Sequence, residues 1–179
     1  MSEVSNIQWK LDMLQQSTAL GIFDCSDKDL NDFLLKDAKK YILSMLATTY
    51  LIRDENNIIA YFCLSNDRIT RDENLGKAQW NKLNRTVANE KRRKSYPAVK
   101  IGRLAVSSEY ANFGFGKLII RMVKEMYANL KQQAGCRFIT VDAYQNALGF
   151  YKKNGFDFLT EEDEQEQTRA MYLDLKAFA

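Results

Sequence analysis

The chain has 179 residues, 46% of them hydrophobic, and a formal net charge of +3, which is enough apolar material for one compact domain with its own core. It contains no histidine, and that excludes Ser-His and Cys-His nucleophilic catalysis and His-ligated zinc. Cys25, Cys63 and Cys136 share no CxxC spacing and read as reduced structural thiols. No apolar run approaches the ~18 residues of a membrane span, and MSEVSNIQWK lacks the apolar stretch of a secretion signal, so the expected location is the cytoplasm.

In chain order, the first predicted element is a helix over CSDKDLNDFLLKDAKKYILSML, or two short helices jointed near Asp37. Ser26 is the expected N-cap, with Asp29 three residues on, and Leu30, Phe33, Leu34, Tyr41, Ile42 and Met45 form one stripe. TTYLIRD and NIIAYFCLS, separated by ENN, read as an antiparallel hairpin. Residues 66–96 form a polar, basic insert with one helix around Ala78 to Asn89. Between positions 68 and 103 stand eleven Lys/Arg against Asp72, Glu73 and Glu90, so the modest net charge conceals a strongly basic stretch and an acidic remainder. Part of that remainder is TEEDEQEQ, residues 160–167.

PAVKIGRLAV reads as a long strand with a bend or bulge at Gly102. The next helix runs from about Gly114 to Gln133, with Leu118, Ile119, Met122, Val123, Met126, Tyr127 and Leu130 on one face and Gly135 as its expected cap. CRFITVDAY is a further strand, NALGFYKKNG a short helix ending at Gly155, and FDFL pairs with AMYLDLKAF around the acidic loop. Strand, helix and strand between residues 97 and 142 make a right-handed βαβ unit with parallel strands. The expected fold is therefore α/β of the α+β type, a mixed, mostly antiparallel sheet around that unit with helices on both faces.

Two glycines one residue apart, Gly114 and Gly116, open the central helix. The spacing fits neither GxxxxGK[ST] nor GxGxxG, because position 119 is Ile119. A shorter GxG at a helix start brings unpaired main-chain N–H groups and the helix dipole together, where a diphosphate can be held if no Cβ intervenes. A tight turn that needs glycine only for φ > 0 or close packing is the alternative.

RLAVSSEYANFGFGKLIIRMV resembles the acyl-CoA-binding core of the GNAT N-acetyltransferase superfamily, a strand ending in L-A-V followed by [Q/R]-x-x-G-x-[G/A] at a helix start. NALGFYKKNGF resembles the superfamily's A-x-x-x-Y-x-x-x-G-F block, through Ala147, Tyr151, Gly155 and Phe156. FDCSDKDLNDFLLKDA is similar to the F-[DN]-C-G-x-x-x-L-N-x-F-L-x-x-x-A opening of one branch, which includes toxins that acetylate the amino group of aminoacyl-tRNA. Three positions depart from these patterns. Ala111 stands in place of Gln or Arg, Ser26 in place of glycine, and Tyr144 where many members have an asparagine.

The resemblance implies a single N-acetyltransferase domain over residues 1–179, with acetyl-CoA as cosubstrate and no metal. It implies that Leu104, Ala105 and Val106 orient the pantetheine and polarise the thioester carbonyl by their main chain. Asn112, Phe113, Gly114, Phe115, Gly116 and Lys117 would hold the diphosphate, and Asn146 would substitute for the asparagine absent at Tyr144. Tyr151 is the candidate proton donor to the departing thiolate, since a phenol of ordinary pKa near ~10 is protonated at neutral pH. Glu109 and Asp142 lie near strand ends, and neither is assigned as a general base. Aminoacyl-tRNA is an expected acceptor, approached through the basic insert with Lys91, Arg92, Arg93 and Lys94. The other readings are a solvated loop with a protein N-terminus, a lysine or a small amine as acceptor, and a non-catalytic acyl-CoA-binding module. Trp80 and Tyr96, interleaved with the charges, either stack on bases or anchor the loop. A homodimer and an antitoxin partner are further expectations of the same resemblance.

Overall fold

The computed structural model describes residues 7–55, 57–71, 75–85, 94–128, 134–161 and 163–178. Seven strands form one sheet in the order β1-β2-β3-β4-β5-β7-β6. They are β1 (Lys10–Met13), β2 (Thr48–Arg53), β3 (Ile58–Thr70), β4 (Ser95–Val106), β5 (Phe138–Tyr144), β6 (Asp157–Phe158) and β7 (Thr168–Asp174). β4 and β5 are parallel, with Ala98 opposite Phe138 and Lys100 opposite Thr140. β1 with β2, β2 with β3, β5 with β7 and β6 with β7 are antiparallel. The sheet is mixed and mostly antiparallel around one parallel pair, as the sequence predicts. No helix among the described residues is long and apolar enough to cross a membrane.

The chain packs as two compact units, the first Met1–Ser65 with Ile101–Val123, the second Asn66–Lys100 with Lys124–Ala179. In the first unit, the predicted helix over residues 25–46 is three windings in succession. These are α1 (Lys28–Asp32), a wider π turn over Phe33–Asp37, and α2 (Ala38–Leu43). The joint expected near Asp37 is the end of that π turn, where the Ala38 N–H reaches back five residues to the Phe33 carbonyl. Phe33, Leu34 and Ala38 are all buried as a result. Asp27, not Ser26, is the N-cap: its backbone is extended at φ −122° and its carboxylate accepts from the Leu30 N–H at 3.1 Å. Ser26 cannot cap because it lies at φ +64°, outside the extended region an N-cap occupies. α2 closes with Met45 at φ +53°, where the Met45 and Leu46 N–H groups return to the carbonyls of Ile42 and Tyr41. That is the bonding of a helix end usually finished by glycine.

These turns seat an aromatic cluster. Tyr61 is fully buried between Phe23 (edge-on, 5.4 Å) and Phe33 (stacked, 6.1 Å), and its hydroxyl donates to the Leu30 carbonyl at 2.7 Å. Leu14, Leu34, Leu51, Ile58 and Ala105 complete this core.

In the second unit, α3 (Lys77–Asn84) packs Trp80 and Leu83 against Tyr96, Ala98, Phe138 and Tyr172 of the sheet. Trp80 and Tyr96 are 4% and 2% exposed with their rings 5.3 Å apart, and the Tyr96 hydroxyl donates to Asn84 Oδ1. They are core anchors, which removes base stacking as a role for either. Asp157 ties two helices to β6 through Lys82 at 2.7 Å and Lys152 at 2.9 Å. Those two ammonium groups, Lys82 first, hold its pKa down to about 2 against the cost of partial burial. The acidic loop before β7 is not merely solvated. Buried Arg169 bonds Asp163 at 3.1 Å and the Thr160 carbonyl at 3.0 Å, and lies 3.7 Å over the Phe158 ring. α5 (Leu148–Lys153) ends at Gly155, φ +92°, as the sequence predicts. Gly135 is not in the left-handed region, so the cap expected there is not formed by it, and residues 129–133 lie outside the described set.

Candidate active site

β4 runs unbroken through Gly102 to Val106, and the Ser107 N–H closes onto the Ile59 carbonyl at 2.8 Å. A single 3₁₀ turn over Ser108–Tyr110 follows. The backbone then enters the left-handed region twice in three residues, at Asn112 (φ +68°) and Gly114 (φ +98°). Asparagine is among the few side chains that tolerate such a φ, and +98° lies beyond even that well, where only glycine is at ease. Gly116 is different. It sits inside the first turn of α4 (Phe115–Ala128) in ordinary helical geometry, so conformation does not demand glycine there.

The first bond entering α4 is Leu118 N–H to the Gly114 carbonyl at 3.0 Å. The amides of Phe115, Gly116 and Lys117 precede it and face outward from the helix start, as the geometry of any helix requires. No acidic residue occupies this first turn, and Lys117 is exposed there. A cation at the positive end of a helix dipole is unfavourable on its own, and an anion bound at the turn would reconcile the two. The donor set thus fits a phosphate ligand: main-chain N–H groups, a glycine at each relevant position and one ammonium.

The turn is braced by aromatic packing. Tyr110 meets Phe113 and buried Phe115 edge-on at 6.2 and 6.0 Å. Its hydroxyl donates to Asp54 Oδ2 at 2.7 Å, and that carboxylate, more than desolvation, holds the phenol proton more tightly than usual. Ala105 is buried and its neighbours Leu104 and Val106 are half-buried, so the strand end expected to face the pantetheine is partly accessible.

The remaining candidates belong to the second unit. Tyr151 is buried in α5 and bracketed edge-on by Phe150 at 5.0 Å and Phe156 at 5.2 Å. Its carbonyl accepts from the N–H groups of Asn154 and Phe156 at 3.0 and 3.1 Å, so the left-handed turn at Gly155 is built on Tyr151 itself. Burial pushes its phenol well above the ordinary value, so the hydroxyl stays protonated throughout the physiological range. Asn146 is exposed in a 3₁₀ turn after β5, beside Gln145, whose side chain donates to the Glu166 carbonyl at 2.8 Å. Asp142 is ion-paired with Lys100 and Glu109 is exposed; neither stands out as a base.

In the basic insert, Arg68, Arg71, Lys77, Arg85 and Lys94 are exposed, and the Arg71 N–H bonds the Lys94 carbonyl at 3.2 Å, bringing two of them side by side. Lys91, Arg92 and Arg93 lie outside the described residues. Sequence reasoning missed Asp54, which fixes Tyr110, and a polar knot of Asp24, Cys25, Ser26 and Asn31. The serine standing at a glycine position is a mark of φ > 0 at Ser26, but not of the bonds around it.

Residues 33–176 match the family model described as an acetyltransferase (GNAT) domain. Among solved structures, a tyrosine-to-phenylalanine mutant of KacT has a TM-score of 0.78 at 22% identity, covering 96% of this chain and 97% of that one. AtaT complexed with acetyl-methionyl-tRNAfMet has a TM-score of 0.77 at 21% identity, covering 96% and 97%. A mutant AtaT toxin bound to the C-terminus of the antitoxin AtaR and acetyl-CoA has a TM-score of 0.75 at 20% identity, covering 96% of each chain. These likenesses concern the fold. No curated protein matches the sequence.

Proposed function

We propose that this chain, which belongs to the GNAT acetyltransferase family, transfers the acetyl group of acetyl-CoA to the amino group of an aminoacyl-tRNA. The reading rests chiefly on the strand-turn-helix from Leu104 to Lys117, with its left-handed residues Asn112 and Gly114 and its cationic first helical turn. Its main-chain amides would hold the diphosphate, and the backbone of Leu104, Ala105 and Val106 would orient the pantetheine and donate to the carbonyl oxygen as charge develops.

The neutral amine nitrogen attacks the thioester carbon and gives up its extra proton to solvent. The C–S bond breaks, and the sulfur takes the proton of the Tyr151 hydroxyl, which recovers one from solvent. Burial keeps this phenol protonated and also lowers its acidity, so it first offers the departing sulfur a hydrogen bond and passes the proton as the C–S bond breaks.

The acceptor assignment draws on the exposed basic residues Arg68, Arg71, Lys77, Arg85 and Lys94 and on the opening motif. It is also in keeping with AtaT, a fold relative that forms a complex with acetyl-methionyl-tRNAfMet. An antitoxin partner, as AtaT has in AtaR, and a homodimer belong to the same proposal. One observation favours a second acceptor class, a cationic small amine or peptide: exposed Glu161, Glu164 and Glu166 sit in a loop that Gln145 and Arg169 hold in place.

Incubation with labelled acetyl-CoA and a mixture of charged tRNA, peptides and polyamines separates the two. Label in tRNA supports the first acceptor and label in polyamine or peptide the second. Tyr151→Phe is expected to bind acetyl-CoA normally while transfer falls by about 10²-fold or more. Unchanged turnover would remove Tyr151 from the chemistry, and calorimetry without heat at millimolar acetyl-CoA would end the coenzyme reading.

A further inference from the structure

The opening motif has no role in the chemistry above, yet its side chains are joined with unusual economy. Asp24 Oδ1 accepts two bonds, from the Ser26 N–H and from Asn31 Nδ2, both 2.8 Å. Asn31 Oδ1 in turn accepts from the Cys25 N–H at 3.0 Å and from Cys25 Sγ at 3.1 Å. Asp24 and Asn31 thus close a ring around Ser26, and Ser26 is the residue held at φ +64°. A serine costs free energy in that conformation, so the surrounding bonds must over-determine it.

The reason for holding it lies on the other partner. The Ser26 hydroxyl meets the Ser108 hydroxyl at 2.8 Å, and the Asp24 carbonyl accepts the Ser108 N–H at 2.9 Å. Ser108 opens the 3₁₀ turn that carries the chain from β4 to Asn112 and Gly114. With Asp54 on the Tyr110 hydroxyl at 2.7 Å, the loop is clamped at both ends of that turn, and all of these contacts lie within the first unit.

We propose that Asp24 and Asn31 are positioning residues for the coenzyme: they hold Ser26 in the left-handed region so that Ser26 and the Asp24 carbonyl fix Ser108, and through it the amides offered to the diphosphate. The inference rests on the coenzyme reading of the turn at residues 112–117. It also explains the glycine of the related pattern. Glycine reaches positive φ unaided, and serine adds a hydroxyl contact at the cost of needing the ring.

Calorimetry of acetyl-CoA binding tests this on the full chain, with thermal denaturation of each variant alongside. Asn31→Ala opens the ring and is expected to weaken binding about tenfold at temperatures where the variant is folded. Ser108→Ala removes one hydroxyl contact and is expected to weaken it about threefold to tenfold. Ser108→Thr, which keeps an oxygen for Ser26, is expected to restore binding to within twofold, a recovery that general loosening of the fold would not produce. If Asn31→Ala does not fold, the Ser108 pair decides the matter.

Wild-type binding with both Asn31→Ala and Ser108→Ala within twofold of it would overturn the inference and leave the coenzyme reading intact. Ser108→Thr as weak as Ser108→Ala would also overturn it. Failure of the wild type to bind would overturn the coenzyme reading, and the inference with it.

Discussion

Gly114 and Gly116 are expected to respond to alanine with opposite signs. At Gly114, φ is +98°, and a Cβ costs about 1–2 kcal/mol in left-handed backbone. At Gly116 the backbone is helical within α4, where alanine is favoured over glycine by about 1 kcal/mol. For a chain of this size each kcal/mol moves Tm by about 2–4 °C, so Gly114→Ala should melt about 2–8 °C lower and Gly116→Ala about 2–4 °C higher. Ligand sharpens the contrast. Acetyl-CoA at a hundredfold excess over its Kd stabilises the folded state by about 2.7 kcal/mol, a further rise of about 5–11 °C. Gly116→Ala should keep that rise, since the related pattern admits alanine there. Gly114→Ala should lose most of it, because relieving the strain re-aims the amides. Thermal denaturation of the three proteins with and without acetyl-CoA measures all five shifts. A Gly114→Ala protein that melts with the wild type and shows the full coenzyme shift would refute the reasoning.

Other perturbations address the scaffold. Tyr61 and Tyr151 both have phenol pKa values raised by burial. Above pH ~10 the unfolded chain loses protons that the folded chain keeps, so each contributes a fall in stability of about 1.4 kcal/mol per pH unit; denaturation followed from pH 9 upward should show this onset, with the phenolate absorbance of these two residues appearing only on unfolding. Asp157 has a lowered pKa of about 2, so its stabilisation is complete above the ordinary carboxylate value and is lost as pH falls through about 2. Asp157→Asn should cost about 1 kcal/mol or less at neutral pH, the pair being partly exposed, and urea melts at pH 7 and pH 2 should show the difference shrink in acid. Trp80→Ala should cost about 3–5 kcal/mol as a core truncation, visible in the urea midpoint; a variant as stable as the wild type would return Trp80 to the surface and to base stacking.

The parts of the fold written as periodicity were legible in the sequence. α4, the β2–β3 hairpin and the β7 pairing each bury a face whose spacing shows in the residues themselves. β1 was not legible: KLDM becomes a strand only by lying against β2, Lys10 opposite Arg53 and Met13 opposite Tyr50, and four residues carry no period. The N-cap was displaced by one residue because Ser26 and Asp27 are equally good caps on paper, and the φ of Ser26 decides between them. Gly114 and Gly116 marked the site, but their different reasons did not show until one proved left-handed and the other helical. The knot around Ser26 was illegible for a related cause. Its bonds join side chains six and seven positions apart across a reversed residue, and no linear pattern encodes that.

The wide winding at Phe33–Asp37 works as a phase shifter. Regular α spacing would rotate Asp37, four residues on, beneath buried Phe33; the extra residue in the turn delivers Ala38 to that place instead and leaves Asp37 half-buried in an ion pair with Lys40. A single deletion between Phe33 and Ala38 would therefore leave the helix downstream in phase, because regular α spacing would then set Ala38 four residues after Phe33, in the place it already occupies. The same deletion within α2 has no such slack and would turn the helix end by roughly a quarter of a revolution, swinging the solvent-facing Leu43 and Leu46.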